Sequence, residues 1–436
     1  MAVYDDREAF IPYRLNDLIK LCLQDGELPP EDHQTFKDFA HLLSNYYHVK
    51  FHHYASEILN NYAAFNPDRD THAISEPTAA ELQTMDEQVV EKFRQVLKGA
   101  NYIELSDELL QQALSEKPLV DLKTNVDFQD FDRFLCFYRG DIFETAKLKK
   151  WVFWTQEREL DILQRVVVLI RYKGPKHFEH RNIDLDEMKF IPGKMYVYLY
   201  KNVPKSDLEL LFPNVQTSMT LKDKLLFGIP AIGAAVPAIL RVLPQLLLVI
   251  SVILFLTIGP PEIDELQADE EDVQNLLPVL LAVASLTMAL GGLAFKQYSQ
   301  YQNKRIKFQK KVTDTLFFRN IATNASVFTS LINSAQDEEC KEVILVYYHL
   351  LTHPKPLTPD QLDDEIEQWM ESHFGIQLDF DIKTPLQSLE SLRGGPENKP
   401  LLSYNDQGHC QVVPLRQAQQ IIDWVWDRIF DYANSL

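Results

Sequence analysis

Two histidines one helical turn apart, His48 and His52, are the first residues of this chain whose types and spacing could hold a metal. On a helix they would share a face. A hydrolytic zinc helix needs HExxH, where the glutamate supplies the base, and this stretch reads HVKFH. A surface or structural role is therefore the expectation, with a metal at His48 and His52 as the sharper alternative. His349 and His353 repeat the spacing, but Pro354 ends that helix at once. His177 and His180 fall in a charged stretch and should face water. Asp68 and Asp70 in NPDRDT could take a cation, although an Asx-turn is the simpler use. There is no GxxxxGK[ST] phosphate loop, no GxGxxG after a strand and no GxSxG elbow. An enzyme reading therefore has no catalytic residue to name, and no cofactor is implied.

The elements that could position chemistry are dominated by two apolar stretches, Leu225–Ile258 and Leu276–Phe295. A bilayer core about 30 Å thick needs about 20 apolar residues per span. Leu276–Phe295 meets that length without a charge, and Gly291 and Gly292 allow close helix approach. Leu225–Ile258 is too long for one straight span and carries Pro230, Pro237, Pro244 and Arg241. The simplest expectation is a span at Val242–Ile258 with Arg241 snorkelling to the interface and an interfacial or re-entrant piece before it. The alternative makes Arg241 and Gln245 a polar site inside the bilayer.

Charge sets the expected orientation. The loop Gly259–Asn275 is acidic and has no Lys or Arg. The flanks carry Lys222 and Lys224 on one side and Lys296, Lys304, Arg305, Lys307, Lys310 and Lys311 on the other. Both termini should then be cytoplasmic, with the acidic loop outside. Lys304, Arg305, Lys307, Lys310 and Lys311 would meet anionic lipid headgroups. A net charge of −20 argues against nucleic acid as a partner. The four scattered cysteines form no CxxC pair and fit a reducing compartment. Met1–Phe10 holds Asp5, Asp6 and Glu8 and resembles neither a signal nor a transit peptide.

The remaining pattern predicts an α+β, mostly helical chain. Residues 1–125 should be a helical region, with helices over Pro29–Phe65, Met85–Lys98 and Asp107–Leu114. Residues 126–213 should form a small antiparallel sheet from Phe131–Arg139, Lys149–Gln156, Asp161–Tyr172 and Met195–Lys201. A short helix, Lys205–Pro213, would lead into the membrane region 214–295 (spans 242–258 and 276–295, outside loop 259–275), followed by a helical connector at 296–334. In 335–436, helices at Glu338–Leu351, Pro359–His373 and up to Leu392 precede a hairpin around Asn405–Gly408 and a closing helix, Leu415–Tyr432. Three helices and a two-stranded wing describe a winged helix. From Asp337 onward there are 18 acidic and 7 basic residues, so a protein partner suits this module better than DNA.

Several stretches together resemble a known family. They are REAFIP (Arg7–Pro12), Phe51, His52 and Tyr54, NPDRDT (Asn66–Thr71), DFDRFLCFYRG (Asp130–Gly140), KNVPKSDLELLFP (Lys201–Pro213) and WDRIFDYA (Trp426–Ala433). The chain resembles the domain-of-unknown-function family that includes the animal mitochondrial transmembrane protein 143. The resemblance implies two spans and supplies no activity. Without a transit peptide the expectation is a bacterial, cyanobacterial-type member in the inner membrane, with an organelle inner membrane as the alternative. The leading functional expectation is a cytoplasmic-face scaffold or regulator acting through protein partners or self-association. An oligomeric channel lined by Arg241 and Gln245, and a membrane-associated enzyme built on His48 and His52, are the alternatives.

Overall fold

The computed structural model describes residues 3–4, 9–106, 123–151, 154–181, 190–212, 216–218 and 318–429, with single positions at 185, 188 and 214 and between 288 and 313; for 143–160 it describes the backbone. The chain forms two compact units. One comprises Met1–Glu116, Asp127–Leu208 and Arg319–Leu436, the other Lys117–Val126 and Glu209–Phe318.

The elements run in the order β1 (Val3–Tyr4), α1 (Leu15–Gln24), α2 (His33–Tyr62), α3 (Ala79–Gly99), β2 (Ile103–Glu104), β3 (Lys123–Asn125), β4 (Phe131–Trp151), β5 (Trp154–Tyr172), α4 (Pro175–His180), β6 (Met195–Pro204), β7 (Gln216–Ser218) and β8 (Asn320–Thr323). Then follow α5 (Ala325–Thr352), α6 (Pro359–Phe374), α7 (Lys383–Ser391), β9 (Arg393–Gly394), β10 (Lys399–Pro400), β11 (Leu402–Tyr404), β12 (Cys410–Val412) and α8 (Leu415–Asp427). The fold is α+β with an antiparallel sheet.

In the first unit the sheet runs β1-β4-β5-β6-β8, with β2 also paired to β4. The helices pack on one face. Leu135 and Phe137 of β4, Val167 and Leu169 of β5, and Met195, Val197 and Leu199 of β6 join one core with α2, α3 and α5. These strand positions alternate by two, as a face buried under helices requires. Each such fully buried apolar side chain contributes about 1.5–3 kcal/mol. The same core takes in Leu362 and Met370 of α6, Leu386 and Leu389 of α7 and Ile421 and Ile422 of α8. The N-terminal helices and the residues from 335 onward therefore share one interior.

Local signals explain many boundaries. Thr78 caps α3 in a reciprocal box with Glu81, and Thr358 caps α6 in the same way with Gln361. Gly375 ends α6 in the left-handed conformation at φ 64°. Other expectations change. Lys149–Gln156 is no separate strand, because β4 and β5 are two long arms of one hairpin and Trp151 pairs with Trp154. The main-chain ladder continues through a charged sequence whose composition hid it, since the ladder bonds are backbone to backbone. The short helix expected at Lys205–Pro213 is present as a 3-10 helix over Lys205–Leu211. The helix expected from Glu338 begins at Ala325, behind the unforeseen strand β8. The helix expected at Asp107–Leu114 lies outside the described residues.

Strand β8 decides how residues 205–319 connect. It lies antiparallel to β6, with Tyr198 opposite Thr323 and Tyr200 opposite Asn320. The chain thus leaves the sheet at the end of β6 and returns at the same end, on the neighbouring strand. In the second unit β3 pairs with β7 over three residues. Met288, Gly292, Phe295, Lys296, Ile306 and Lys310 are helical, and Met288 and Phe295 are 77% and 73% exposed. Among the described residues no helix is long and apolar enough to cross a membrane. Apart from Met288, Gly292 and Phe295, the expected spans lie outside the described residues.

Candidate functional site

Two carboxylates and one ammonium meet where β6 ends. In the hairpin, Asp141 pairs with Leu163 and Phe143 with Asp161, so Asp141 and Asp161 are diagonal neighbours on one face. Pro204 pairs with Ile162, which brings Lys205 beside Asp161. Lys205 Nζ bridges the two, 2.7 Å from Asp141 Oδ2 and 3.0 Å from Asp161 Oδ2. All three side chains are partly exposed. Burial pushes Asp141 up to about 6; Lys205 opposes this, and the hydrogen bond and charge of Asp161 add to it. Burial works against the charge of Lys205, but its bonds to both carboxylates outweigh that and raise its pKa. One ammonium faces two acids, so the site can bind or release a proton near pH 6. The resident ammonium competes with any metal cation there.

A second cluster, deeper in the same unit, is fully enclosed. Glu338 and Lys341 of α5 are 1% and 2% exposed and pair with each other. Lys341 Nζ donates to the carbonyls of Ile11 (2.7 Å) and Tyr13 (3.2 Å), and Glu338 Oε2 accepts from Ile11 N–H at 3.0 Å. Asn101, held at φ 58°, donates to Ala9 O and to Glu342 Oε1 at 3.0 Å. Burial holds Glu338 above the usual carboxylate range against the pull of Lys341, and burial raises Glu342 further. This cluster fastens residues 9–13 to α5. Its polar atoms are spent on one another and on the backbone, so it has no acceptor or donor to offer a ligand.

A third group imitates a catalytic triad. Ser372 Oγ lies 3.1 Å from His373 Nδ1, and His373 Nε2 lies 3.4 Å from Asp25 Oδ1. Ser372 Oγ, however, donates to Trp369 O at 2.8 Å, and His373 Nδ1 sits 2.9 Å from that same carbonyl. A nitrogen facing a carbonyl carries the proton and cannot accept one from serine. Asp25 is also committed to Tyr348 Oη (3.0 Å) and Trp369 Nε1 (2.8 Å). The group is a structural brace between α1, α5 and α6.

The residues singled out from sequence do not converge. His48 is exposed with Nδ1 3.3 Å from Gln336 Oε1, and His52 is exposed. Among the described residues no group of three or more side chains could hold a metal. Arg241, Gln245, Lys304, Arg305, Lys307 and Lys311 lie outside the described residues; Lys310 is helical and exposed. His177 does not simply face water: it lies 3.5 Å from Asp130, which Arg181 also pairs at 2.6 Å. An Asx-turn does form in this stretch, but Asn66 makes it, its Oδ1 accepting from the Asp68 N–H at 3.0 Å, while the side chain of Asp68 is used elsewhere. The Asp68 carboxylate accepts from Asn324, whose own side chain accepts from Val197 N–H. NPDRDT thus anchors the start of α5 to the sheet. Asp141, Asp161 and Lys205 were missed, because their meeting depends on hairpin register, which composition does not encode.

Residues 163–326 match the model of a protein family of unknown function, DUF3754. The matched stretch begins in β5, contains Lys205 and all of the segment between β6 and β8, and ends in the first turn of α5. No solved structure matches the chain.

Proposed function

We propose that the chain is an integral membrane protein whose first unit is a scaffold or regulator on the cytoplasmic face. The observation that carries this reading is the pairing of β8 with β6. Both ends of residues 205–319 sit at one end of one sheet, so an even number of crossings is the simplest topology for the apolar stretches between them. Two spans, Val242–Ile258 and Leu276–Phe295, satisfy it. The exposed helical Met288 and Phe295 suit a lipid-facing surface. The membrane is the inner membrane of a bacterium or an organelle.

The scaffold part of the reading rests on residues 335–436, which we take as a winged-helix-like module. Between α5 and α6, Leu357 makes one isolated antiparallel bridge to Cys410 of β12, at the edge of the two-stranded wing. Lys383 and Arg393 are the cations of α7 and its end; Asp381 caps Lys383 N–H, and Arg393 is turned onto the Glu390 carbonyl. That surface favours a protein partner over a phosphate backbone.

The test is cysteine accessibility in intact vesicles or cells, after replacing the four buried cysteines. A single cysteine in 259–275 should label from outside, and one at exposed Lys383 only after permeabilisation. Equal labelling of both from one side, or release of the protein by alkaline carbonate, would sink the membrane reading. Partners should be sought with the surface change Asp364→Lys and not by deleting residues 337–436, since α5 belongs to the core. An unchanged set of co-purifying proteins would count against the scaffold.

A further inference from the structure

The hairpin of β4 and β5 outruns the sheet it belongs to. Among the described residues β6 pairs with β5 only as far as Ile162, opposite Pro204, and β1 pairs with β4 at Ile142 and Phe143. Past those rungs, again among the described residues, the two arms pair only with each other, from Glu144 opposite Leu160 to Trp151 opposite Trp154. At about 3.3 Å per residue the arm from Ile142 to Trp151 rises about 30 Å. A two-stranded ribbon is marginally stable in water by itself, so one of this length calls for a surface to rest on. β6 runs toward the same end, because its first residue, Met195, pairs with Arg171 and its last, Pro204, with Ile162. The ribbon therefore extends from the end of the sheet where the chain leaves for residues 205–319 and comes back through β8.

The sequence of the ribbon is graded along its length. Its base carries Glu144, Glu157, Arg158, Glu159 and Asp161. Residues 146–156 carry Lys147, Lys149 and Lys150, no Asp or Glu, and the run Trp151, Val152, Phe153, Trp154. In a chain of net charge −20, a local surplus of cations beside aromatic residues is not a matter of composition. Turn chemistry does not explain the run either. The favoured two-residue hairpin turns are Asn-Gly, Asp-Gly or Gly-X, chosen for positive φ, and the residues between the paired tryptophans in sequence are Val152 and Phe153. Four consecutive large apolar residues at such a place are a fault unless they meet something apolar. Trp together with Lys is the combination that bilayer interfaces favour, the ring at headgroup level and the ammonium at the phosphates.

We propose that the end of this ribbon docks in the headgroup region of an anionic lipid bilayer. Trp151 and Trp154 anchor it, and Lys147, Lys149 and Lys150 supply the attraction to lipid phosphates. The proposal rests on the membrane reading of residues 205–319, which puts a bilayer at that end of the sheet. Its depth has a physical limit. The outer backbone groups of a two-stranded ribbon are not paired within it, so the ribbon stops at the wet interface and does not enter the hydrocarbon. Docking gives the first unit a second hold on the membrane besides the chain that leaves at Lys205, and so restrains its tilt.

The experiment uses the full-length protein reconstituted into vesicles of phosphatidylcholine and phosphatidylglycerol whose acyl chains carry bromine near the headgroup, a contact quencher of tryptophan. Wild type is compared with Trp151→Phe/Trp154→Phe, which keeps aromatic strand formers in place. Trp369 on α6 and Trp424 and Trp426 on α8 are the same in both and cancel. Wild-type emission should be quenched relative to unbrominated vesicles, and that loss should disappear in the double variant. Lys147→Gln/Lys149→Gln/Lys150→Gln should reduce it; quenching unchanged there overturns the assignment to anionic lipid. Equal quenching in wild type and the double variant overturns the proposal. Resistance to alkaline carbonate, read on the same samples, separates this contact from the spans. A protein that resists carbonate while both forms quench equally keeps its spans and loses the ribbon contact. One released by carbonate, whose quenching still depends on Trp151 and Trp154, loses its spans and keeps the ribbon contact. Should the double variant fail to fold, Thr155→Cys carrying an environment-sensitive fluorophore, in a chain whose four buried cysteines are replaced, must be quenched by the same brominated lipids, and no quenching overturns the proposal.

Discussion

The enclosed Glu338–Lys341 pair and the half-open Asp141–Asp161–Lys205 cluster are built from the same side chains and do different things. In the first, Lys341 meets buried Glu338 and, at 3.4 Å, the exposed carboxylate of Asp337, and its remaining hydrogen-bonding capacity goes to the carbonyls of Ile11 and Tyr13. In the second, one base serves two acids within reach of water. A buried pair with every atom committed is a fastener, because any change leaves an unpaired charge in a medium that cannot solvate it. An accessible cluster can change its proton content at small cost. What separates the two is access to water and not the ratio of acids to bases, since Lys341 and Lys205 each face two carboxylates.

The largest effect should come from breaking the fastener. Lys341→Met leaves Glu338 buried without its cation and removes the donor to two carbonyls, and should cost about 3–5 kcal/mol in denaturant unfolding. A loss under about 1 kcal/mol would show that the enclosed cluster is as tolerant as the open one.

A second test uses pH. Burial lowers His349 to about 4, with Asp25 opposing and His353 and His373 adding to the shift. The unfolded chain takes up its proton near pH 6.5 while the folded one resists. Stability from this residue is therefore present above pH 6.5 and lost as pH falls toward 4, by about 2–3 kcal/mol. His349→Phe, which keeps a ring against Trp369, should abolish that acid limb.

Asp141 has the opposite sign. Its folded pKa near 6 exceeds the unfolded 3.8, so its contribution is complete below pH 3.8 and is lost as pH rises through 6. Solvent screening keeps the effect to about 1 kcal/mol. Asp141→Asn should flatten the profile between pH 4 and 7 without lowering stability at neutral pH. A neutral-pH loss comparable with that of Lys341→Met would erase the distinction between the two clusters.

What was legible in the sequence follows from range. Thr358, Gln361 and Gly375 announce both ends of α6 because caps are local chemistry. The wing strands β11 and β12 flank a local turn at Asn405–Gly408 and were equally plain. β8 was invisible, since four residues with no strong pattern pair with a strand more than a hundred positions earlier. Glu338 and Lys341 carry no local mark in the sequence, because their burial by residues 9–13 is a long-range event.

The return of β8 to β6 also sets a timetable for synthesis. When β6 has left the ribosome, the sheet still lacks a strand and the helical layer still lacks α5, its central helix. Both arrive only after residues 205–319 have been made, on the order of ten seconds later at ordinary elongation rates. During that interval β6 presents an unpaired edge and the apolar faces of α2 and α3 lack their partner. Whatever engages residues 205–319 does so before the first unit can close.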